Sequence, residues 1–121
     1  MIENLVDKQN ELNSQINDKS SDLNMLNAKA NKQEQEYSNF KNLMQEAISD
    51  ISDVSNNTSQ QLKDLSKDSI IEDTSQKLDN VKKNLSKENI DGSAKSSESA
   101  HNNLEEIKKQ LSKIQEEFIT Q

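Results

Sequence analysis

Only one side chain in this chain, His101, ordinarily titrates near neutral pH. As a general base or metal ligand it would want an orienting carboxylate and a pocket. It stands instead beside Asn102 and Asn103, near a helix start, and reads as an exposed polar residue. Residues 87–98 offer a second candidate. With Gly92 in the sixth place of an EF-hand loop, Asn89, Asp91, Ser93 and Glu98 take the third, fifth, seventh and twelfth. Lys87 occupies the first place, where that loop needs an acid, so an inter-helix connection is the better reading. The acidic pairs Asp50/Asp53 and Glu72/Asp73 lie along helix faces and read as solvated faces rather than acid–base dyads. With no Cys there is neither a thiolate site nor a disulfide framework, and one Gly cannot build a phosphate-cradling loop. No catalytic residue, cofactor, metal or small-molecule ligand is expected.

The elements that would have to position any site are helices. Hydrophobic residues make up 29% of the chain, Pro is absent and Gly92 is the single glycine. Sheet folds need turn residues every 8–12 positions, so all-β and α/β architectures are excluded. Two Phe, one Tyr and no Trp leave little bulk for the deep core around an enzyme pocket. The net charge is −7, every basic residue is Lys, and Arg is absent. An acidic chain without the bidentate Arg fork is a poor binder of nucleic acid or of an anionic membrane surface. Nothing approaches a membrane-spanning apolar run, and the N-terminal residues have neither the basic nor the apolar region of a signal peptide. A cytoplasmic location is expected, with secretion by a signal-peptide-independent route as the alternative.

A heptad pattern is the strongest signal. Steps of three and four from Ile2 pass through Leu5, Gln9, Leu12, Ile16, Lys19, Leu23, Leu26, Ala30, Gln33, Tyr37, Phe40, Met44, Ala47 and Ile51 to Val54, and thirteen of these sixteen positions are apolar. A sustained period of 3.5 is a coiled-coil seam. The pattern predicts one helix over about 2–65, a turn at about 66–69, a second helix over about 70–88, a break at about 89–94 near Gly92, and a third helix over about 95–120. Ser69-Ile70-Ile71-Glu72 fits a capping box after the first turn; Ser55-Asn56-Asn57-Thr58 offers a rival turn near 57. The polar seam residues Gln9, Lys19 and Gln33 either specify register or are tolerated solvent contacts.

The fold class is therefore all-α: a long antiparallel hairpin whose second arm is broken near Gly92, forming one helical domain over 1–121. Folding back at about 67 sets Tyr37 opposite Ser97 and Phe40 opposite Ala94, so that large side chains meet the small-residue run 93–100. Leu23 then meets Leu111, and Ile16 meets Phe118. The expected hairpin core is Leu23, Leu26, Tyr37, Phe40, Met44, Ile51, Leu78, Val81, Leu85, Leu104, Ile107, Leu111, Ile114 and Phe118. The N-terminal stripe Ile2, Leu5, Val6, Leu12 and Ile16 would project beyond the second arm and form a partner interface, for amphipathic helices of another protein or for a second copy.

In length, acidic Cys-free composition and hairpin architecture, the whole chain resembles the small helical partners of LXG toxins in the type VII secretion pathway, which are similar in shape to the Trp-x-Gly hairpin family. The Trp-x-Gly turn itself is absent. No aromatic-x-x-x-acid export signal is present either, since Tyr37 is followed four residues on by Lys41 and Phe40 by Met44. The resemblance implies a non-enzymatic chaperone or targeting partner that binds a toxin's helical N-terminal domain. A self-associating coiled-coil scaffold is the alternative.

Overall fold

The computed structural model describes residues 1–18 and 22–120. Every regular element among them is helical: α1 (Ile2–Asn17), α2 (Leu23–Ile51), α3 (Asn56–Ser66), α4 (Ser69–Ser86) and α5 (Ile90–Thr120). The protein is all-α. The stretch expected as one helix over 2–65 is divided into three, and each new helix opens on a short polar side chain that accepts an otherwise unpaired backbone N–H. Asp22 Oδ1 accepts from Asn24 N at 2.9 Å to start α2, and Ser55 Oγ accepts from Thr58 N at 3.2 Å to start α3. Asp68 Oδ1 accepts from Ile70 N at 3.0 Å to start α4, one residue before the expected Ser69 cap. Of the two alternative turns in the sequence, the one near 57 reverses the chain, at 52–55, whereas the expected fold-back at about 67 is only a break between α3 and α4, which run on in the same direction along α2. Lys19 lies outside the described residues.

The break in the second arm falls at 87–89 rather than 89–94. Glu88 N donates to Leu85 O at 3.0 Å and Asn89 N to Asn84 O at 2.8 Å, the paired bonds of a Schellman helix end. The left-handed residue this motif needs is Glu88, with φ of 59°. Gly92 already lies inside α5, in its first turn. Asn89 Oδ1 accepts from Gly92 N at 3.0 Å, and a Cβ on Gly92 would stand 2.5 Å from Asn89 Nδ2. Glycine is there because the capping side chain occupies that space. Since α5 is helical from Ile90, residues 87–98 form no ion-binding loop.

Cross-helix contacts fix the arrangement. Lys29 pairs with Glu11 at 3.2 Å, and Asn4 Nδ2 donates to Glu36 at 3.4 Å, so α1 and α2 are antiparallel. Lys82–Glu34 at 3.7 Å and Tyr37 Oη to Ile71 O at 2.7 Å make α2 and α4 antiparallel. Asn103 Nδ2 to Asp73 at 2.8 Å links α5 to α4. Lys108–Glu3 at 3.8 Å and Gln9 Nε2 to Ser97 Oγ at 2.9 Å link α5 to α1. The exposed ion pairs contribute little to stability, but they report register. The long helices α2 and α5 run parallel on one diagonal. On one side of them lies α4 extended by α3, whose Ser59 Oγ donates to Ile48 O at 2.8 Å and whose Gln61 reaches Glu117. The other side holds α1 alone.

The apolar heptad positions as far as Ile51 lie on the inner face although the chain turns back between α1 and α2, whereas Val54 lies past the end of α2 and is 73% exposed. The face buries two clusters. Leu12, Ile16, Leu26, Ala30, Val81 and Leu85 fill one end, with Leu23, Ile90 and Ala94 against them. Leu5, Val6, Tyr37, Phe40, Met44, Leu78, Leu104 and Ile107 belong to the larger cluster toward the other. The expected pairings of Leu23 with Leu111 and of Ile16 with Phe118 therefore do not form, because α2 pairs with α4 and α1 closes the fourth side. The small-residue run faces α1: Ser97 meets Gln9, and Ala94 packs near Leu12 and Ile16. Tyr37 spends its hydroxyl on α4 instead. Gln9 and Gln33 are buried and hydrogen-bonded, Gln33 Nε2 donating to Leu5 O at 2.6 Å, so neither is a solvent contact.

Candidate functional site

The N-terminal stripe is not a free interface. Leu5, Val6, Leu12 and Ile16 are all buried within the chain, and Leu5 is 0% exposed. Folding α1 back onto α2 and α5 covers the very surface that a straight 2–65 helix would have left bare. Ile2 alone of the five stays half-buried, and it marks the place where α1 stops.

Length creates what lies beyond it. At about 1.5 Å per residue, α1 with its 16 residues covers little more than half of α2 with 29 or α5 with 31. On α5 the inward positions Leu104 and Ile107 are 0% exposed, whereas the next three, Leu111, Ile114 and Phe118, are only half-buried. On α2, Phe40 and Met44 are buried, Ala47 and Ile51 half-buried, and Leu43 is 49% exposed. Leu62 of α3 closes the floor. The result is an apolar trough of about 410 Å³ on the line of α1, running outward from Met1 and Ile2. Of the remaining expected core residues, Leu26, Leu78, Val81 and Leu85 are buried and Leu23 is half-buried.

Tyr37 and Phe40 stand at the inner end of the trough, their rings stacked with centroids 6.0 Å apart. Tyr37 is sealed in the core, 1% exposed, and burial pushes its phenol up to about 12. Lys41 Nζ lies 5.4 Å from the Tyr37 ring centre. Phe40 is the member of the pair that lines the trough.

Leu43, Val54 and Ile119 belong to this end and are among the most exposed large apolar residues of the chain, at 49%, 73% and 72%. Leu43 and Ile119 fall off the heptad steps. The available signal was the gathering of off-step apolar residues where α2 and α5 finish; a repeat-based reading discards them as noise. His101 Nε2 lies 3.1 Å from Glu105 on the flank of α5, away from the trough, and is half-buried rather than exposed. Among the described residues no group of three or more His, Cys, Asp or Glu could hold a metal ion.

Trough and rim together define an elongated apolar groove between helices, of the kind that receives an amphipathic helix. No family model, curated protein or solved structure matches this chain. No helix among the described residues is long and apolar enough to cross a membrane.

Proposed function

We propose that this chain is a non-enzymatic interaction protein that completes its bundle with a helix of another protein, in the manner of a chaperone or targeting partner of a secreted toxin. The half-covered apolar trough beyond the end of α1 supports the binding role. Exposed apolar patches of this concentration mark interaction surfaces, and the trough takes the fourth position of a bundle in which α1 fills only part. The toxin class rests on the resemblance in length, charge and helical architecture given above. Binding is placed at the end of the bundle formed by the ends of α2 and α5, and the residues of α1 other than Ile2 serve the chain's own core.

The test is co-expression with the helical N-terminal domain of an LXG-type toxin from the same host, followed by size-exclusion chromatography. A complex is expected, and Leu43→Asp combined with Ile119→Asp should dissolve it while leaving the chain's own melt within about 0.5 kcal/mol of wild type, since both side chains are largely exposed. A complex that survives both substitutions would place the binding surface elsewhere.

A further inference from the structure

The trough is apolar at its base and acidic along its α2 rim. Residues 42–62 contain Glu46, Asp50 and Asp53 and no Lys. Asp50 is exposed and lies seven residues after Leu43, on the same stripe of α2; Glu46 is three residues after Leu43. On α5, Glu116 lines a separate crevice together with Lys108, Lys109 and Lys113, so that wall adds no acidic rim. Lys108 is already paired with Glu3 at 3.8 Å, and Lys113 lines the crevice between α3 and α5 with Gln61 and Asp64.

A second copy is a poor occupant. Large apolar side chains exposed among the described residues are Met1, Met25, Leu43, Val54 and Ile119, and all but Met25 belong to this same end. No helix of a second copy therefore has an apolar stripe to lay in the trough. Two copies meeting end to end would bring their acidic rims together, with each rim charge facing its like.

Resting on the binding role proposed above, we infer that the occupant is an amphipathic helix of another protein, about three turns long, with Lys or Arg on the flank of its apolar face that meets α2. Its length follows from the open stretch of α2 beyond Phe40, about 17 Å at the helical rise. The occupant lies on the axis of α1, with apolar residues at i, i+3 or i+4, and i+7 meeting Phe40, Leu43 and Ala47 on one wall and Leu111 and Phe118 on the other. Its basic flank meets Asp50 and Glu46 on α2. Apolar burial supplies the affinity, and the rim charges select the sequence.

The probes are two synthetic fluorescent helical peptides with the same Leu stripe, one flanked by Lys and one by Glu, titrated against the full chain by anisotropy. The Lys-flanked peptide is expected to bind about tenfold more tightly, with the gap narrowing as salt is raised. Asp50→Lys with Glu46→Lys should close or reverse the preference, and an unchanged thermal melt shows that the variant is folded. Equal binding of the two peptides overturns the charge selection and leaves the helix-binding role standing. Failure of both peptides to bind, or binding insensitive to Leu43→Asp, overturns the docking site itself. Sedimentation showing a dimer that Leu43→Asp dissociates would assign the trough to a second copy and overturn the inference.

Discussion

Raising the pH toward the titration of Tyr37 should destabilise the bundle through one identifiable proton. The ring is 1% exposed, and its hydroxyl donates to Ile71 O at 2.7 Å on the facing helix. A phenolate there would lose its water and point a negative oxygen at a carbonyl it can no longer serve as donor. Burial is the main reason the phenol is pushed from 10 up to about 12; Glu72 adds to the rise, and a hydrogen bond with Thr74 opposes it. Below pH 10 the neutral phenol is present in both folded and unfolded chains, so its contribution to stability is flat. Between 10 and about 12 the unfolded chain releases the proton and the folded chain keeps it, and stability falls. Two units correspond to about 3 kcal/mol, a large part of the roughly 5–15 kcal/mol that holds a small domain together. The assay is direct because the chain has one tyrosine: tyrosinate absorbance reads this ring alone. Denaturant melts across the same range give the free energy, and Tyr37→Phe removes the titration from the background of lysine deprotonation. The Phe variant should lose about 1 kcal/mol at neutral pH with the hydrogen bond, then show a shallower fall in alkali than wild type. A folded, fully helical chain whose tyrosine titrates at 10 would refute the sealed position of Tyr37 between α2 and α4.

Two further outcomes check other parts of the fold. Leu5→Ala should cost about 2–5 kcal/mol in a urea melt, as for a fully buried leucine; a neutral result would mean that α1 does not dock. Glu88→Gly should raise the melting free energy by about 1 kcal/mol, because Glu88 holds the left-handed position that ends α4, at φ of 59°, and glycine takes that conformation without a Cβ penalty; a loss of stability would show that the helix ends in another way.

The inward faces of α1, α2, α4 and α5 were legible in the sequence, but that of α3, with Thr58, Ser59, Leu62 and Leu65 buried, and the continuity of the chain were not, and one property of the heptad explains why the continuity was hidden. Ile16 and Leu23 are seven residues apart, so the phase on leaving α1 is the phase on entering α2. A periodic pattern reports which side of a helix is wet; it does not report whether the helix runs on. The punctuation was present as Asp18 and Asp22 and as Ser55 and Asp68, short polar residues that cap helices as readily as they decorate them. With no Pro and one Gly to mark turns, Gly92 drew the break toward itself, although the left-handed residue is Glu88 and the glycine makes room for the Asn89 cap. Misplacing the first turn then inverted the candidate site. A straight first helix overhangs at its N-terminus and exposes Leu5 and Leu12; a folded-back α1 buries them and leaves the opening at the far ends of α2 and α5.

That opening is held in place by a polar pair. If α1 were free to slide by one heptad toward the open end, it would cover much of the trough, and the chain would shield its own apolar surface. Such a slide would set Ile16 against the buried Ser97, which now accepts from Gln9 at 2.9 Å, and would carry Gln9 into apolar surroundings. Leu12 and Ile16 would also leave the cluster they form with Leu26, Val81 and Leu85. An unpaired buried amide costs about 1–3 kcal/mol, and emptying the far cluster costs more. Both losses oppose the gain from covering half-buried Leu111, Ile114 and Phe118. The register in which Gln9 meets Ser97 is thus the one that keeps the far end unfilled, much as a polar residue in a coiled-coil seam fixes alignment at some expense in stability. The vacancy follows from where the Gln9 amide N–H finds its acceptor, Ser97, and a partner helix entering it would find the fourth side of the bundle already aligned.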